Sequence, residues 1–415
     1  MPIRLKVART ARELDDVFRL RYDVFVTERG KFSAHPEDPR IVDRYDAMPE
    51  VANVVAYEGD LAIAAMRINR DNEMGLPAER FYDFGPIRAQ LVDECRAAGR
   101  GRPMLACGSM LAVRQEYRNR RNVILALFKE AVGVMRSWGT THVIGAVRAD
   151  TLSMYGRIGF EPIDEPFHVD AIGDDLIPIL APFDKVFEWS LHGIRSQVSN
   201  FWVDVLSPDF QRLLLAPGEV LFRQGDEANH AYAIEDGWIS ITRRDPEGNE
   251  MVLANLSRGA LFGELAIFDG ETRSATATAL VNTELISIER EVLIETTRQN
   301  PERMDQLLQH FARRIRKTDD LAMVLYFAPE ARRVQAVLHE LWRSSEPDRK
   351  HKSARVAKVG PDQVAKMAQV DEEYVRSVLE LKTTQGCLEY GKRSIRFFRE
   401  PSVDTPNEVE KESPV

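Results

Sequence analysis

LFGELAIFDGETRSATATAL, Leu261 to Leu280, concentrates the parts needed to hold a phosphate joined to a sugar. Gly263 permits a tight turn, and Glu264, Leu265 and Ala266 open a short helix whose first backbone N–H groups face an anion. Small Ala266 keeps the approach open. Arg273 follows, and its planar fork suits two phosphate oxygens, while Ser274 adds a hydroxyl donor and Glu264 can accept from a ribose 2′-hydroxyl. The plainer reading is a β-roll that binds nothing and carries Glu264 and Arg273 on its surface.

Upstream, LAPGEVLFRQGDEANHAYAIEDGWISITRRDPEGNEMVLANLSRGALFGE alternates short apolar strands with turns at Gly218, Gly225, Gly237, Gly248 and Gly259, the pattern of a β-roll or barrel. From about Asp209 through the cassette the chain resembles the cyclic nucleotide-binding domain. Its FGEL and RSAT segments match that family's phosphate cassette, which implies a ribose role for Glu264 and a phosphate role for Arg273.

The chain has 415 residues, 44% of them hydrophobic, enough for two or three domains with cores of their own. It contains no run of 18 apolar residues, and MPIRLKVARTARELDDV lacks a signal-peptide core, so the cytoplasm and no membrane are expected. Cys95, Cys107 and Cys387 are far apart and odd in number, against a disulfide framework. The histidines form no HxxxH cluster, and no metal is expected. A net charge of −9 argues against nonspecific nucleic-acid binding by the whole molecule.

After the roll, a helix is expected from about Pro301 to Ala328, with Pro329 at a boundary. Phe311, Ile315, Thr318, Ala322 and Leu325 recur as a coiled-coil seam and imply a parallel homodimer; a helix packed on its own roll would show the same positions. ARRVQAVLHELWRS continues as a helix, SEPDRKHKSARVAKVG reads as a linker, and the sequence from PDQVAKMA to GCLEYGKRSIRFF reads as helix, turn, helix and a two-stranded wing. PSVDTPNEVEKESPV is left as a disordered tail.

This order of elements resembles the catabolite activator branch of the Crp/Fnr regulators. The resemblance implies that Thr318 contacts the purine from the dimer interface, although Asp319 replaces the Ser expected beside it; Thr318 could equally be a polar seam residue fixing register. In the second helix of the pair, Asp371, Glu372 and Glu373 occupy the turn that would enter a major groove, where that family usually presents arginines. Acids there repel phosphates, while Asp371 can cap the helix and Glu372 and Glu373 complement its dipole. Arg376, Lys392, Arg393 and Arg396 remain for phosphate contacts, so DNA binding stays open and direct guanine readout is impaired.

The amino-terminal segment mixes strands such as VANVVAYEG and THVIGAV with amphipathic helices, an α/β or α+β pattern. LACGSMLAVRQEYRNRRNVILALFKEAV followed by RADTLSMYGRIGF resembles the Gcn5-related N-acyltransferases. That resemblance implies acyl-donor contacts along Leu111, Val113, Arg118, Arg120, Arg121, Asn122 and Val123, with Tyr155 as the general acid that protonates the departing thiolate. Arg121 and Val123 stand where the family favours Gly, which puts a close backbone cradle in doubt. Arg118, Arg120 and Arg121 instead gather positive charge suited to coenzyme A phosphates or an acidic acyl carrier protein. RLRYDVFVTERG, IVDRYDAM and AAMRI add a narrower resemblance to acyl-homoserine-lactone and N-acyl amino acid synthases. It implies an acceptor pocket of Arg21, Phe25, Asp43, Asp46 and Arg67, with Glu28 nearby. Cys107 and Met110 replace that branch's Glu and Arg, and Cys107 is expected to be inert packing. Tyr155 as a core-edge tyrosine and the charged residues as structural salt bridges are the competing readings.

The expected architecture is multidomain: an α/β (α+β) acyltransferase domain over 1–195, an all-β roll with a long dimerisation helix over 200–328, a small α+β winged helix over 329–400 and a tail over 401–415. The expected function is a cyclic AMP-regulated, homodimeric N-acyltransferase that moves an acyl group from acyl-CoA or acyl carrier protein to an amine. The alternative is a cyclic AMP-dependent transcription regulator with a degenerate acyl-thioester sensor.

Overall fold

Alternation in IRLKV makes Ile3–Val7 a strand, β1, with Ile3, Leu5 and Val7 turned inward. Helix α1 (Ala11–Tyr22) starts at a capping box in which Thr10 accepts from the Glu13 amide and Glu13 reaches back to the cap. Strands β2 (Val51–Glu58) and β3 (Leu61–Arg70) are buried almost throughout, as strands covered on both faces must be. Next come α2 (Gly85–Ala97), β4 (Leu105–Val113), α3 (Arg121–Ser137), β5 (His142–Arg148), α4 (Leu152–Ile158), β6 (Glu161–Pro162), β7 (Phe167–Val169), β8 (Asp174–Pro182) and α5 (Phe183–Ser190). Strand β9 (Gln211–Leu215) follows and pairs antiparallel with β1, Leu5 opposite Arg212, so the sheet runs β9-β1-β2-β3-β4-β5-β8-β6.

This computed structural model describes residues 1–31, 37–99, 101–170, 173–190, 211–248, 250–299, 304–305, 307–309, 311–312, 315–316, 323, 328–348, 351 and 353–401. It divides into two compact units, Met1–Leu214 with Leu285–Ile288, and Leu215–Glu284 with Glu289–Val415. In the first unit, α3 packs Val123, Ala126, Leu127 and Ala131 into one core. Helix α1 packs Val17 and Leu20 with Val55 and Ala65 in another. Strands β4 and β5 are parallel and in register only from Leu105 to Cys107 against His142 to Ile144. Both continue beyond that point unpaired to each other, and the sheet opens between them.

The second unit contains β10 (Val220–Phe222), β11 (His230–Asp236), β12 (Trp238–Arg244), β13 (Glu250–Ser257), β14 (Leu261–Phe262), α6 (Leu265–Asp269), β15 (Thr276–Ala279), β16 (Thr283–Glu289) and α7 (Arg290–Gln299). One sheet has the order β10-β15-β12-β13, as expected of a roll. Helix α8 (Glu330–Ser344) starts at Pro329, and β17 (Glu346–Pro347), β18 (Arg355–Ala357), α9 (Pro361–Ala368), α10 (Glu372–Thr384), β19 (Leu388–Tyr390) and β20 (Ile395–Phe397) complete the chain.

The polar stretch expected as a linker is corrected here: it contributes β17 and β18, and the wing is a four-stranded sheet, β17-β18-β20-β19. Ala357 is buried against Ile395 and Phe397, a non-local contact that leaves no local periodicity in a charged segment. Trp238 of the roll also packs in the winged-helix core. Thr318, Asp319, Ala322, Leu325 and residues 402–415 lie outside the described residues. No helix among the described residues is long and apolar enough to cross a membrane.

Candidate functional site

Where β4 and β5 part, a cavity of about 510 Å³ opens through the sheet of the first unit. On the α3 side its wall is apolar, with Phe128, Ala131, Val132 and Met135, then Ile158 of α4 and Val186 and Trp189 of α5. On the other side stand Phe25, Asp43, Tyr45 and Arg67, and between them the strand residues Cys107 to Leu111 and Val143 to Arg148, with Met66 of β3 on the α3 side. Phe25 arrives on a π-helical turn, Asp23–Glu28, that buries it with Val24. Met110 bends β4 with a positive φ of 51°, a strained conformation for a side-chain-bearing residue and one that re-aims the strand at the cavity.

Tyr155 faces this space from α4, its ring set edge-on to Phe128 at 5.7 Å and Phe160 at 5.5 Å. Burial pushes its hydroxyl up to about 12, with the nearby Cys107 adding to the effect. Cys107 is itself pushed up to about 12 by burial and stays a thiol, a weak nucleophile.

The charged residues expected around the acceptor form one buried network. Arg21 holds Asp46 at 2.9 and 3.0 Å and Asn53 at 2.5 Å. Arg67 holds Asp43 at 2.5 Å, Asp46 at 2.9 Å and the Ser109 hydroxyl at 3.1 Å. Two arginines and two aspartates cancel in charge. Asp43 and Asp46 also cap the short turn Arg44–Ala47, which fixes the geometry of both carboxylates. Asp43 and Arg67 reach the cavity wall; Arg21 and Asp46 stand behind it.

Of the expected donor residues, Leu111 lines the cavity with Tyr155, whereas Val113, Arg118, Arg120, Arg121, Asn122 and Val123 do not. Arg118 is paired with Glu28 and donates to the Val113 carbonyl. Arg120 lies 3.5 Å from Glu58 and over the Tyr117 ring, and Val123 is buried. The cavity lining instead includes Arg29, Lys31, Arg80 and Arg148. Lys31 and Arg148 share Asp174 at 2.7 and 3.3 Å. Arg29 has its charge disfavoured first by burial, then by Arg118 and Arg148, a convergence of cations that an anion would relieve. Sequence reasoning missed these four because single cations at the ends of elements and in loops carry no period.

In the second unit, Gly263 turns with a φ of +73°, and a Cβ there would stand 2.7 Å from Arg273 Nη1. Glu264 is fully buried at the start of α6, and Ala266 is buried beside it, while Leu265 and Ser274 are exposed. Arg273, only 4% exposed, donates to the carbonyls of Gly263 and His230, each at 2.6 Å. Its guanidinium lies 4.2 Å from the Phe222 ring centre, and its Nε has no hydrogen-bond partner among the described residues. A buried arginine with neutral partners and a donor to spare, beside a glycine that keeps the approach clear, fits a phosphate group. Phe268 of α6 meets Phe311 edge-on at 6.0 Å, so this one expected seam residue packs against the cassette helix.

In the winged helix, Asp371 caps α10 by accepting from the Glu373 amide at 2.7 Å. Arg376 is held by Glu372 at 2.6 Å, and Arg396 by Asp348 at 2.6 Å and Glu389 at 2.9 Å. Glu372 and Arg376 line a cavity of about 820 Å³ together with Lys392, Arg393 and the roll residues Asp236 to Trp238.

The family description "N-acyl amino acid synthase FeeM" matches residues 16–181, and "cyclic nucleotide-binding domain" matches residues 212–300. The CRP-like cAMP-activated global transcriptional regulator of Mycobacterium tuberculosis is 32% identical over 149 residues, 36% of this chain, and the chain spans 66% of that protein's length. Two solved structures that match parts of the chain are FixK2 from Bradyrhizobium japonicum, at 18% identity and TM-score 0.40 over 46% of this chain and 92% of that one, and FeeM from uncultured soil microbes, at 14% identity and TM-score 0.36 over 46% and 97%. The cyclic AMP receptor protein of Thermus thermophilus is 30% identical over 193 residues, which cover 46% of this chain and 86% of that protein. Over that shared segment the chain belongs to the cyclic AMP receptor protein family.

Proposed function

We propose that the protein is an N-acyltransferase whose activity is set by a cyclic nucleotide, cyclic AMP in the first instance. The observation that carries this reading is Tyr155 lining, where β4 and β5 part, a cavity that is apolar on one side of the sheet and charged on the other. The apolar arm suits the acyl chain of an acyl-CoA or acyl carrier protein. The charged arm suits a polar amine, and Arg29 and Lys31 favour an acceptor that also carries a carboxylate, in keeping with the name of the FeeM family.

In this reading the amine nitrogen attacks the thioester carbonyl, and β4 amides near Leu111 to Val113 polarise its oxygen. The C–N bond forms and the C–S bond breaks, Tyr155 gives its proton to the sulfur, and the proton lost by the amine returns to the tyrosinate through solvent. No side chain needs to carry the acyl group, which agrees with a Cys107 thiol held protonated. A homodimer in the cytoplasm is part of the proposal. The DNA-binding alternative is disfavoured by Asp371, Glu372 and Glu373 at the start of α10 and by Arg376 being tied to Glu372.

Release of free thiol from a panel of acyl donors and amines, with and without cyclic AMP, tests the reading. Turnover that responds to cyclic AMP in the native protein and ignores it in Arg273→Ala is expected. Silence across the panel, with cyclic AMP-dependent gel shift of DNA, would replace it with the regulator.

A further inference from the structure

We infer that Arg212 is a positioning residue for the acyl-transfer cavity: it acts through Glu130 on helix α3 and transmits the state of the nucleotide cassette to that helix. The inference rests on the acyltransferase and nucleotide readings above. Glu130 lies in the middle of α3, between Phe128 and Ala131, both of which line the cavity. It is 8% exposed, and a carboxylate buried in a helix that otherwise packs apolar residues is costly unless paired. Its partner is Arg212, 2% exposed, with Nε 3.0 Å from Oε1. Arg212 belongs to β9, hydrogen-bonded to β1 of the same sheet, yet it is also the first residue of the segment matching the cyclic nucleotide-binding domain.

From β9 the chain leads through Ala216 and Pro217 to a turn at Gly218, whose amide donates to the Ala279 carbonyl at 2.7 Å, while the Ala279 amide donates to Glu219 at 2.9 Å. Ala279 ends β15, the strand that starts just after Arg273 and Ser274. Covalent and hydrogen-bonded steps thus run from the phosphate-gripping arginine to a helix that walls the cavity. An ion pair suits the last step because it fixes direction and register, which apolar contact does not.

The test is hydrogen exchange on the full chain with and without cyclic AMP. Three forms are compared: native, Arg273→Ala, and the double variant Glu130→Met with Arg212→Met, which avoids leaving one buried charge alone. In the native protein cyclic AMP should alter exchange both in the cassette, 263–274, and in α3. In the double variant the cassette should still respond, α3 should not, and the ratio of turnover with to without cyclic AMP should fall to about one. An α3 response that survives in the double variant, or is missing from the native protein while the cassette responds, overturns the inference. If the double variant does not fold, Arg212→Lys keeps the charge without the fork and should weaken the α3 response about threefold; a full response overturns the inference. No response of the native cassette would defeat the nucleotide reading and this link with it. A coupled response without thiol release would defeat the acyltransferase reading alone.

Discussion

Arg21 and Arg67 beneath the cavity, and Arg273 in the cassette, are all buried, yet they are satisfied in opposite ways. The first two are held by carboxylates, Asp43 and Asp46, and their charge is spent inside the protein. Arg273 donates to two backbone carbonyls and lies against an aromatic face, and the carboxylates of Glu264 and Asp226 favour its charge from nearby. Direct carboxylate partners fix Arg21 and Arg67 in place, whereas the direct hydrogen-bond acceptors of Arg273 are neutral, an arrangement that suits an anionic ligand.

The largest expected effect breaks the neutral network. Asp46→Asn leaves Arg21 and Arg67 short of a buried carboxylate and should lower stability by about 3–5 kcal/mol, read from denaturant melts. Asp43→Asn should cost less, because the Asp43 side chain is 26% exposed against 1% for Asp46. Next in size, Tyr155→Phe should lower turnover on the order of 100-fold with unchanged stability, since it removes a proton donor and keeps the packing. Arg273→Met should weaken nucleotide binding by about 10–100-fold in calorimetry and lower the melting temperature less than Arg67→Met, which should leave nucleotide binding near its native value.

The smallest effect concerns Glu13 at the α1 cap, which marks the weak end of the same scale. Burial raises its pKa, but the Lys6 ion pair and the Arg9 and Thr10 amides outweigh this and bring it from 4.5 down to about 2. A lowered carboxyl stabilises the fold above its unfolded value, and that contribution is lost as the pH falls toward 2. The stability gap between the native protein and Glu13→Gln should therefore be full at pH 7 and close in the acid range.

Local chemistry was legible in the sequence. The cassette turn at Gly263, the Asp371 cap and the strands of the first unit follow from residues adjacent in the chain. The Arg/Asp network was legible as a set of residues, but its division into wall and support was not, because both arginines reach Asp46, Arg21 from helix α1 and Arg67 from strand β3, and only their placement in the fold puts Arg67 at the cavity. Arg29, Arg148, the β17–β18 pairing and the burial of Trp238 among winged-helix residues depend on partners distant in sequence. The ion pairs of Arg118 with Glu28 and of Arg120 with Glu58 were not legible either, because nothing in the spacing links those residues.

Strand β9 bears on how such a chain could be assembled or cut. A fragment ending at residue 195 would strip β1 of its outer neighbour and present the row of N–H and C=O groups that other chains use as a template for aggregation. It would also remove the Arg212 ion pair from the buried Glu130 carboxylate. The first unit therefore does not end with α5; a segment joined there must bring a strand of its own to finish the sheet.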